Sequence, residues 1–306
     1  MTDIARDLKI RGPRFEVQRG SSRYPKALLR LAHPPEVLFG IGSVEALREG
    51  VAVIGARKAT SYGIGCASRF ARLAARRGLV VVSGGARGCD AAAHRAALEE
   101  GAPTIVFFGG GCDEVYPKEH LPLFQDVVDQ GGVVVSEQPW DCPPLPYMFR
   151  ERNRLIAAMG RCVLVVEAGL PSGTFSTADE ALAIGRDVLA VPGAITAKTS
   201  AGANRLISQG AVPIVDDEGF EDVLDALFGA PPTRPAAGEA AGLFPAGNPV
   251  AAALSAGPRT LEELRDLAAS CCGAIDPSTW LLQAVAQGEL EGWCVRQPDG
   301  RFGLRG

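Results

Sequence analysis

Seven short runs rich in Val, Ile and Leu recur along this chain: Val51–Ile54, Leu79–Val82, Thr104–Phe108, Val133–Val135, Val163–Val166, Val188–Val191 and Val212–Val215. They are continuous rather than alternating. Strands of that kind are buried on both faces, which is the condition of a parallel sheet covered by helices on either side. Helix-like stretches separate most of the runs. One of them, Gly65–Arg77, stops at Gly78, and a glycine just past the last turn is a usual stop signal. Strand and helix in alternation predict an α/β fold, an extended Rossmann-like, doubly wound and mainly parallel sheet over about residues 45–228.

The flanks read differently. Residues 1–23 are polar and without a clear period, and are expected to form a loosely attached arm. The next stretch, to about residue 50, holds Pro25, Pro34, Pro35 and a short helix-like piece at Ser43–Leu47. The α/β domain is accordingly placed at 24–228. Residues 229–248, with Pro231, Pro232, Pro235 and Pro245 among Ala and Gly, have the composition of a semi-flexible linker. Residues 249–306 form a second unit. Val250–Ser255 has a helical pattern. Thr260 with Glu263 makes a capping box ahead of Leu261–Ala269, and Asp276 with Pro277 opens a third helix. Gly292–Arg296 and Arg301–Leu304 flank a Pro-Asp-Gly turn and predict a hairpin. Three helices and a hairpin are the layout of a C-terminal winged-helix domain.

At 306 residues with 47% hydrophobic content, the chain is long enough for one α/β domain and a smaller one, each with its own core. No apolar run reaches the ~18 residues of a membrane span. Met1–Arg6 lacks the apolar stretch of a secretory signal, so a cytoplasmic protein is expected. The eight cysteines form no CxxC pair and the three histidines no HxxxH, so neither metal nor cofactor is expected. A net charge of −4 excludes a general polycation; any nucleic-acid binding must come from a local basic cleft.

That cleft is sought where open α/β sheets bind ligands, in the loops beyond the carboxyl ends of the strands. Arg57 and Lys58 follow the first apolar run. No GxGxxG follows it, and GxxxxGK[ST] occurs nowhere, which disfavours a dinucleotide fingerprint or an ATP-hydrolysing P-loop. Ser83, Gly84, Gly85, Ala86, Arg87 and Gly88 lead from the second run into a helix, whose first amides are a candidate anion cradle; a tight turn that needs glycine for packing is the alternative. Asp90 reads as an early-helix acid and His94 as a core histidine. Gly109–Gly111, after the third run, leads to Tyr116, Pro117 and Lys118. Phe149 is a candidate for base stacking or for the core. Arg152 and Arg154 suit bidentate phosphate contacts, or an ion pair with Glu137 or Glu167. Ser172, Gly173 and Thr174 open a further helix, and Lys198 sits in a loop entering another.

Together these runs resemble the DprA/Smf family of DNA-processing proteins. The matching stretches are VAVIGARKATSYG (51–63), VVSGGARGCDAAAHRAAL (81–98), DEVYPKEH (113–120), SEQ (136–138), FRERNRLIA (149–157), VVEAGLPSGTFSTADEAL (165–182) and DVLAVPGAITAKTSAGANRLISQGA (187–211), in order over about residues 24–228. The resemblance implies a non-catalytic protein that binds single-stranded DNA, protects incoming strands in natural transformation, loads the RecA recombinase on them for homologous recombination, and works as a homodimer. By motif position it implicates Arg57, Ser83, Gly84, Arg152, Arg154, Ser172, Gly173 and Lys198 in strand contact, with Phe149 stacking on a base.

The departures are specific. Gly85 and Cys89 stand where larger aliphatics are common, and no basic residue precedes Phe149 in Leu145-Pro146-Tyr147-Met148. The short leader has no room for the helical N-terminal domain of some members. The expected recognition helix, Asp276–Gln287, has no Lys or Arg, and residues 250–306 hold five Arg against seven Asp plus Glu, which favours a protein-interaction role over DNA reading there. The rival reading is a nucleotide-binding or phosphoribohydrolase-like enzyme of the lysine-decarboxylase-like family. Its PGGxGTxxE loop is matched only loosely by Pro171–Asp179, where Phe175 replaces a glycine and Asp179 the glutamate.

Overall fold

In the computed structural model the described residues are 9–230, 249–255, 259–271, 276–290, 293–297 and 300–304. Most of the expected linker, residues 231–248, and the first residues of the expected arm, 1–8, lie outside them. The chain divides into two compact units, Met1–Pro231 and Pro232–Gly306.

The first unit is built on a nine-stranded sheet. The seven apolar runs become β3 (Gly50–Ile54), β4 (Val81–Ser83), β5 (Thr104–Phe107), β6 (Val133–Ser136), β7 (Gly160–Val165), β8 (Asp187–Ala190) and β9 (Val212–Pro213), mutually parallel wherever they pair. In β3, Ala52 and Ile54 enter the core on one side of the sheet and Val51 and Val53 the core on the other. Both faces are buried, so an alternating pattern never had reason to form.

Helices α1 (Ser61–Arg76), α2 (Cys89–Glu99), α3 (Leu121–Asp129), α4 (Pro146–Met159), α5 (Thr174–Ala183), α6 (Ala201–Ser208) and α7 (Asp217–Phe228) make the connections. Thr60 caps α1, its hydroxyl accepting from Gly63 N at 3.2 Å. Leu155, Ile156 and Met159 of α4 pack on one face of the sheet, and Phe70 of α1 with Phe220 and Leu224 of α7 on the other.

Two strands escaped the sequence pattern. Residues Arg14–Gln18, expected in the loose arm, form β1, and Val37–Gly42 form β2; β1 pairs antiparallel with β2, and β2 antiparallel with β6. β1 is an exposed edge strand with only Val17 buried, so its composition is polar. Arg14 and Lys9 both pair with Asp113, and Gln125 exchanges two hydrogen bonds with the backbone of Arg11, so this segment is fastened to the domain. The helix-like piece near Ser43 is one short 3-10 turn, Val44–Ala46.

The strand order is β1-β2-β6-β5-β4-β3-β7-β8-β9. The chain moves outward from β3 through β4, β5 and β6, then returns through α4 to β7 on the other side of β3. The loops after β3 and β7 therefore leave in opposite directions, and the crevice between them is where an open α/β sheet places a ligand.

The second unit has helices α8 (Pro249–Ser255), α9 (Arg265–Cys271) and α10 (Pro277–Leu290) and a hairpin of β10 (Cys294–Arg296) and β11 (Phe302–Leu304). The capping box is present: Thr260 N donates to Glu263 Oε2 at 2.8 Å and Glu263 N to Thr260 Oγ1 at 3.2 Å. The chain spends 261–264 in turns first, so α9 starts four residues later than expected. Asp276 caps α10 through Thr279 N at 2.9 Å. The expected Pro-Asp-Gly turn lies partly outside the described residues. No described helix is long and apolar enough to cross a membrane, and no group of three His, Cys, Asp or Glu among the described residues is placed to hold a metal ion.

Candidate nucleic-acid interface

The carboxyl edge of the sheet gathers the loops that the sequence singled out. Arg57, in the β3–α1 loop, is exposed, and its guanidinium carbon lies 5.8 Å from the centroid of the Phe149 ring, on the first turns of α4. Phe149 is half-buried. Tyr116, from the β5–α3 loop, approaches it at 5.2 Å between centroids with the rings tilted by 56°, and is itself 44% exposed. Gly109 makes room for this ring: a Cβ there would stand 2.9 Å from Phe149 Cδ1. Tyr116 is a member of this cluster that sequence reasoning left out of the site; the glycine run just before it was the available signal.

Several contacts hold the loops in place. The carboxylate of Glu167, buried at the end of β7, accepts from Thr60 N at 2.8 Å and Thr60 Oγ1 at 2.9 Å, tying the β3 loop to the β7 loop across the switch point. Tyr62 donates to the Pro192 carbonyl at 2.7 Å, and Gly202 N donates to Ala168 O at 2.7 Å, bringing in the β8 loop that carries exposed Lys198. In the β7–α5 loop, Ser172 Oγ donates to Thr174 Oγ1 at 2.9 Å and accepts from Thr174 N at 3.2 Å. Thr174 is buried. Gly173 is exposed, and a Cβ built on it meets nothing within 4 Å, so this loop fronts solvent.

The β4–α2 loop behaves otherwise. Its candidate anion cradle is occupied by the chain's own carboxylate: Asp90 Oδ2 accepts from Gly84 N at 3.2 Å and Ala86 N at 3.3 Å. Ser83 is fully buried and donates to Val53 O at 2.6 Å. Arg152 is 5% exposed and donates through Nη1 to the carbonyls of Gly84, at 2.8 Å, and Phe107. A Cβ on Gly84 would stand 2.6 Å from that guanidinium, and a Cβ on Gly88, whose φ is +77°, would stand 2.2 Å from Ala56 O. Glycine is required here by packing, the alternative left open from sequence. Burial pushes the Asp90 carboxyl up from its ordinary range, opposed by the charge of Arg152 and by the loop amides. Burial lowers Arg152 to about 10, opposed by Asp90, and it remains a cation at neutral pH.

The side chains of Ser83 and Arg152, expected from the sequence to touch a strand, are thus buried behind the crevice and bonded to backbone carbonyls. The Arg152 guanidinium carbon lies over the Phe149 ring, 6.0 Å from its centroid. Arg154 pairs with Glu137, both mostly buried, as the ion-pair alternative had it. Arg87 is exposed but paired with Glu119. His94 is wholly buried, its Nδ1 2.7 Å from Thr104 Oγ1, and burial lowers it to about 3. In the loop that the rival enzyme reading depends on, Phe175 packs against the core and Asp179 is exposed on α5.

The family model described as DNA recombination-mediator protein A matches residues 16–227, which include every strand of this sheet but β1's first two residues. The chain belongs to that family. DprA from Bacillus subtilis is 35% identical over 209 residues, covering 68% of this chain and 69% of its own length. Protein Smf from Escherichia coli is 42% identical over 199 residues, 65% of this chain and 53% of that protein. With a DprA of Mycobacterium tuberculosis covered to 46%, the chain spans about half the length of several curated relatives. Among solved structures, DprA from Streptococcus pneumoniae superposes with a TM-score of 0.63 at 35% identity, covering 71% of this chain and 76% of that one. DNA processing protein A from Helicobacter pylori, described for its single-stranded DNA binding mode, gives 0.63 at 30% identity, covering 72% and 98%. The mainly parallel α/β architecture of this chain is that of the DprA structures.

Proposed function

We propose that this chain binds single-stranded DNA in the crevice at the carboxyl edge of its sheet. Exposed Arg57 and Lys198 contact phosphates, Ser172 and Gly173 offer a hydroxyl and amides with buried Thr174 holding Ser172 in place, and Phe149 with Tyr116 receives a base. The observation that carries this reading is the pairing of Arg57 with the half-buried Phe149 ring, 5.8 Å apart, at the topological switch point. A cation and an aromatic face side by side suit a backbone phosphate and its base, and base stacking tolerates any sequence. Membership of a recombination-mediator family and likeness to a protein described for single-stranded DNA binding support the same reading.

On this reading the domain at 24–228 is the strand-binding domain and performs no catalysis. The protein protects incoming single strands in natural transformation and loads a RecA recombinase on them, as a cytoplasmic homodimer. The unit at 249–306 is a winged helix whose α10, with exposed Leu282 and no basic residue, serves contact with protein rather than DNA. Fluorescence anisotropy of labelled oligo-dT and a matched duplex, titrated over salt, tests the reading. Preference for the single strand with a steep salt slope is expected. Failure to bind either nucleic acid overturns it, and release of ribose phosphate from nucleoside monophosphates, abolished in Asp179→Ala, would replace it with the enzyme reading.

A further inference from the structure

We propose that residues 19–33 form a second phosphate-contacting surface, which lengthens the single strand held by the crevice; the proposal rests on the crevice reading above. The chain is acidic overall, yet no Asp or Glu occurs between Glu16 and Glu36, while Arg19, Arg23, Lys26, Arg30 and His33 fall in that interval. The fold separates the two kinds of residue. Tyr24, Ala27, Leu28 and Leu31 are buried, and the 3-10 helix Lys26–Arg30 packs through them on α4. Arg23, Lys26, Arg30 and His33 are all exposed on the outer side.

Several exposed arginines of this domain are matched with carboxylates, Arg69 with Asp217, Arg76 with Glu100 and Arg87 with Glu119, as is half-buried Arg72 with Glu99 and Glu100. Arg23, Lys26 and Arg30 make no salt bridge among the described residues. Of the acids near the segment, Glu36 pairs with Arg19 and Glu137 with Arg154, while Glu45 accepts from the Ser43 hydroxyl at 2.9 Å within the field of Arg23. Lys26 and Arg30 thus have no carboxylate partner among the described residues and Arg23 has only the field of Glu45, a positive excess whose self-repulsion a polyanion relieves.

The segment packs against α4, the helix whose first turns carry Phe149. Arg150 is exposed next to Phe149, and Arg154 follows one helical turn later on the same face of α4. Tyr24 lies close enough to Arg154 and Arg19 to feel both charges. On this proposal a strand leaving Phe149 past Arg150 runs along α4 to the 19–33 segment. The contacts are to phosphates alone, because Arg23, Lys26 and Arg30 have no exposed aromatic among them to hold a base.

The test uses the full chain and its triple variant Arg23→Gln, Lys26→Gln, Arg30→Gln, with labelled dT6, which is too short to leave the crevice, and dT30. All three side chains are exposed, so equal circular dichroism and thermal midpoints are expected. Each phosphate contact on a single strand adds about 0.7 to the salt slope. The wild type should therefore show a slope for dT30 steeper by about 2 than the variant's, and roughly tenfold tighter dT30 binding at low salt, while both bind dT6 alike. Equal dT30 affinity and slope in variant and wild type, with dT6 binding intact, overturns this proposal alone. An equal loss on dT6 and dT30 also overturns it, since the residues would then act within the crevice. Absence of dT6 binding by the wild type overturns the crevice reading and this one with it.

Discussion

Replacing Arg152 by Met separates a structural wall from a phosphate contact. The guanidinium donates to the carbonyls of Gly84 and Phe107 and supplies the positive charge opposite buried Asp90, itself the acceptor for Gly84 N and Ala86 N. Hydrogen bonds from a charged donor contribute about 1.5–3 kcal/mol each. Removing one partner of a buried charge pair costs about 3–5 kcal/mol, because the other charge is left uncompensated. These are views of one network and do not add, so the expected loss is about 3–5 kcal/mol. For a domain of this size each kcal/mol moves the midpoint by about 2–4 °C, giving a fall of about 6–20 °C. Urea unfolding followed by circular dichroism measures the loss, and Arg152→Met with Asp90→Asn should recover at least about 1 kcal/mol of it through the broken coupling. A variant as stable as the wild type within about 0.5 kcal/mol, with a salt slope for oligo-dT shallower by about 0.7, would refute the reasoning and return Arg152 to the strand.

Phe149→Ala should weaken oligo-dT binding by about 1–3 kcal/mol without changing the salt slope, whereas Arg57→Ala should flatten the slope by about 0.7; unchanged affinity in both removes the proposed site. His94 titrates at about 3 when folded against 6.5 when free, so the stability it contributes is complete above pH 6.5 and lost as pH falls from there toward 3. His94→Asn should accordingly make the acid side of the stability–pH curve shallower by about 1.4 kcal/mol per pH unit between pH 6 and 4, measured by urea unfolding at each pH; an unaltered slope would show that the imidazole is not the group responsible. Gly88→Ala, at φ +77° and 2.2 Å from Ala56 O, should destabilise by at least about 1–3 kcal/mol in the same assay, and a neutral result would mean that the loop relaxes freely. Thr60→Val removes the cap of α1 and a hydrogen bond to Glu167, with an expected loss of about 1–2 kcal/mol.

Six of the seven parallel strands were legible because they are buried on both faces, so that hydrophobicity alone marks them; β9, at the edge, is exposed at both of its residues. Strands β1 and β2 were not: an edge strand with one buried residue carries a polar sequence, and its pairing is decided by the neighbour it meets. The crevice was legible as a place, since strand–loop–helix order puts Arg57, Phe149, Ser172 and Lys198 at one edge of any such sheet. Which cations face solvent there was a tertiary decision. Arg152 and Arg154 lie two residues apart on α4, and in sequence they look equally fit for phosphate; packing buries the first against Gly84 and Phe107 and gives the second to Glu137. The amides after β4 look like an anion cradle until Asp90, six residues from Gly84, folds back to fill it. Sequence fixes the period and the loops, which depend on neighbours along the chain. The availability of a charge depends on desolvation and on partners brought from elsewhere in the chain, and only the folded structure supplies those.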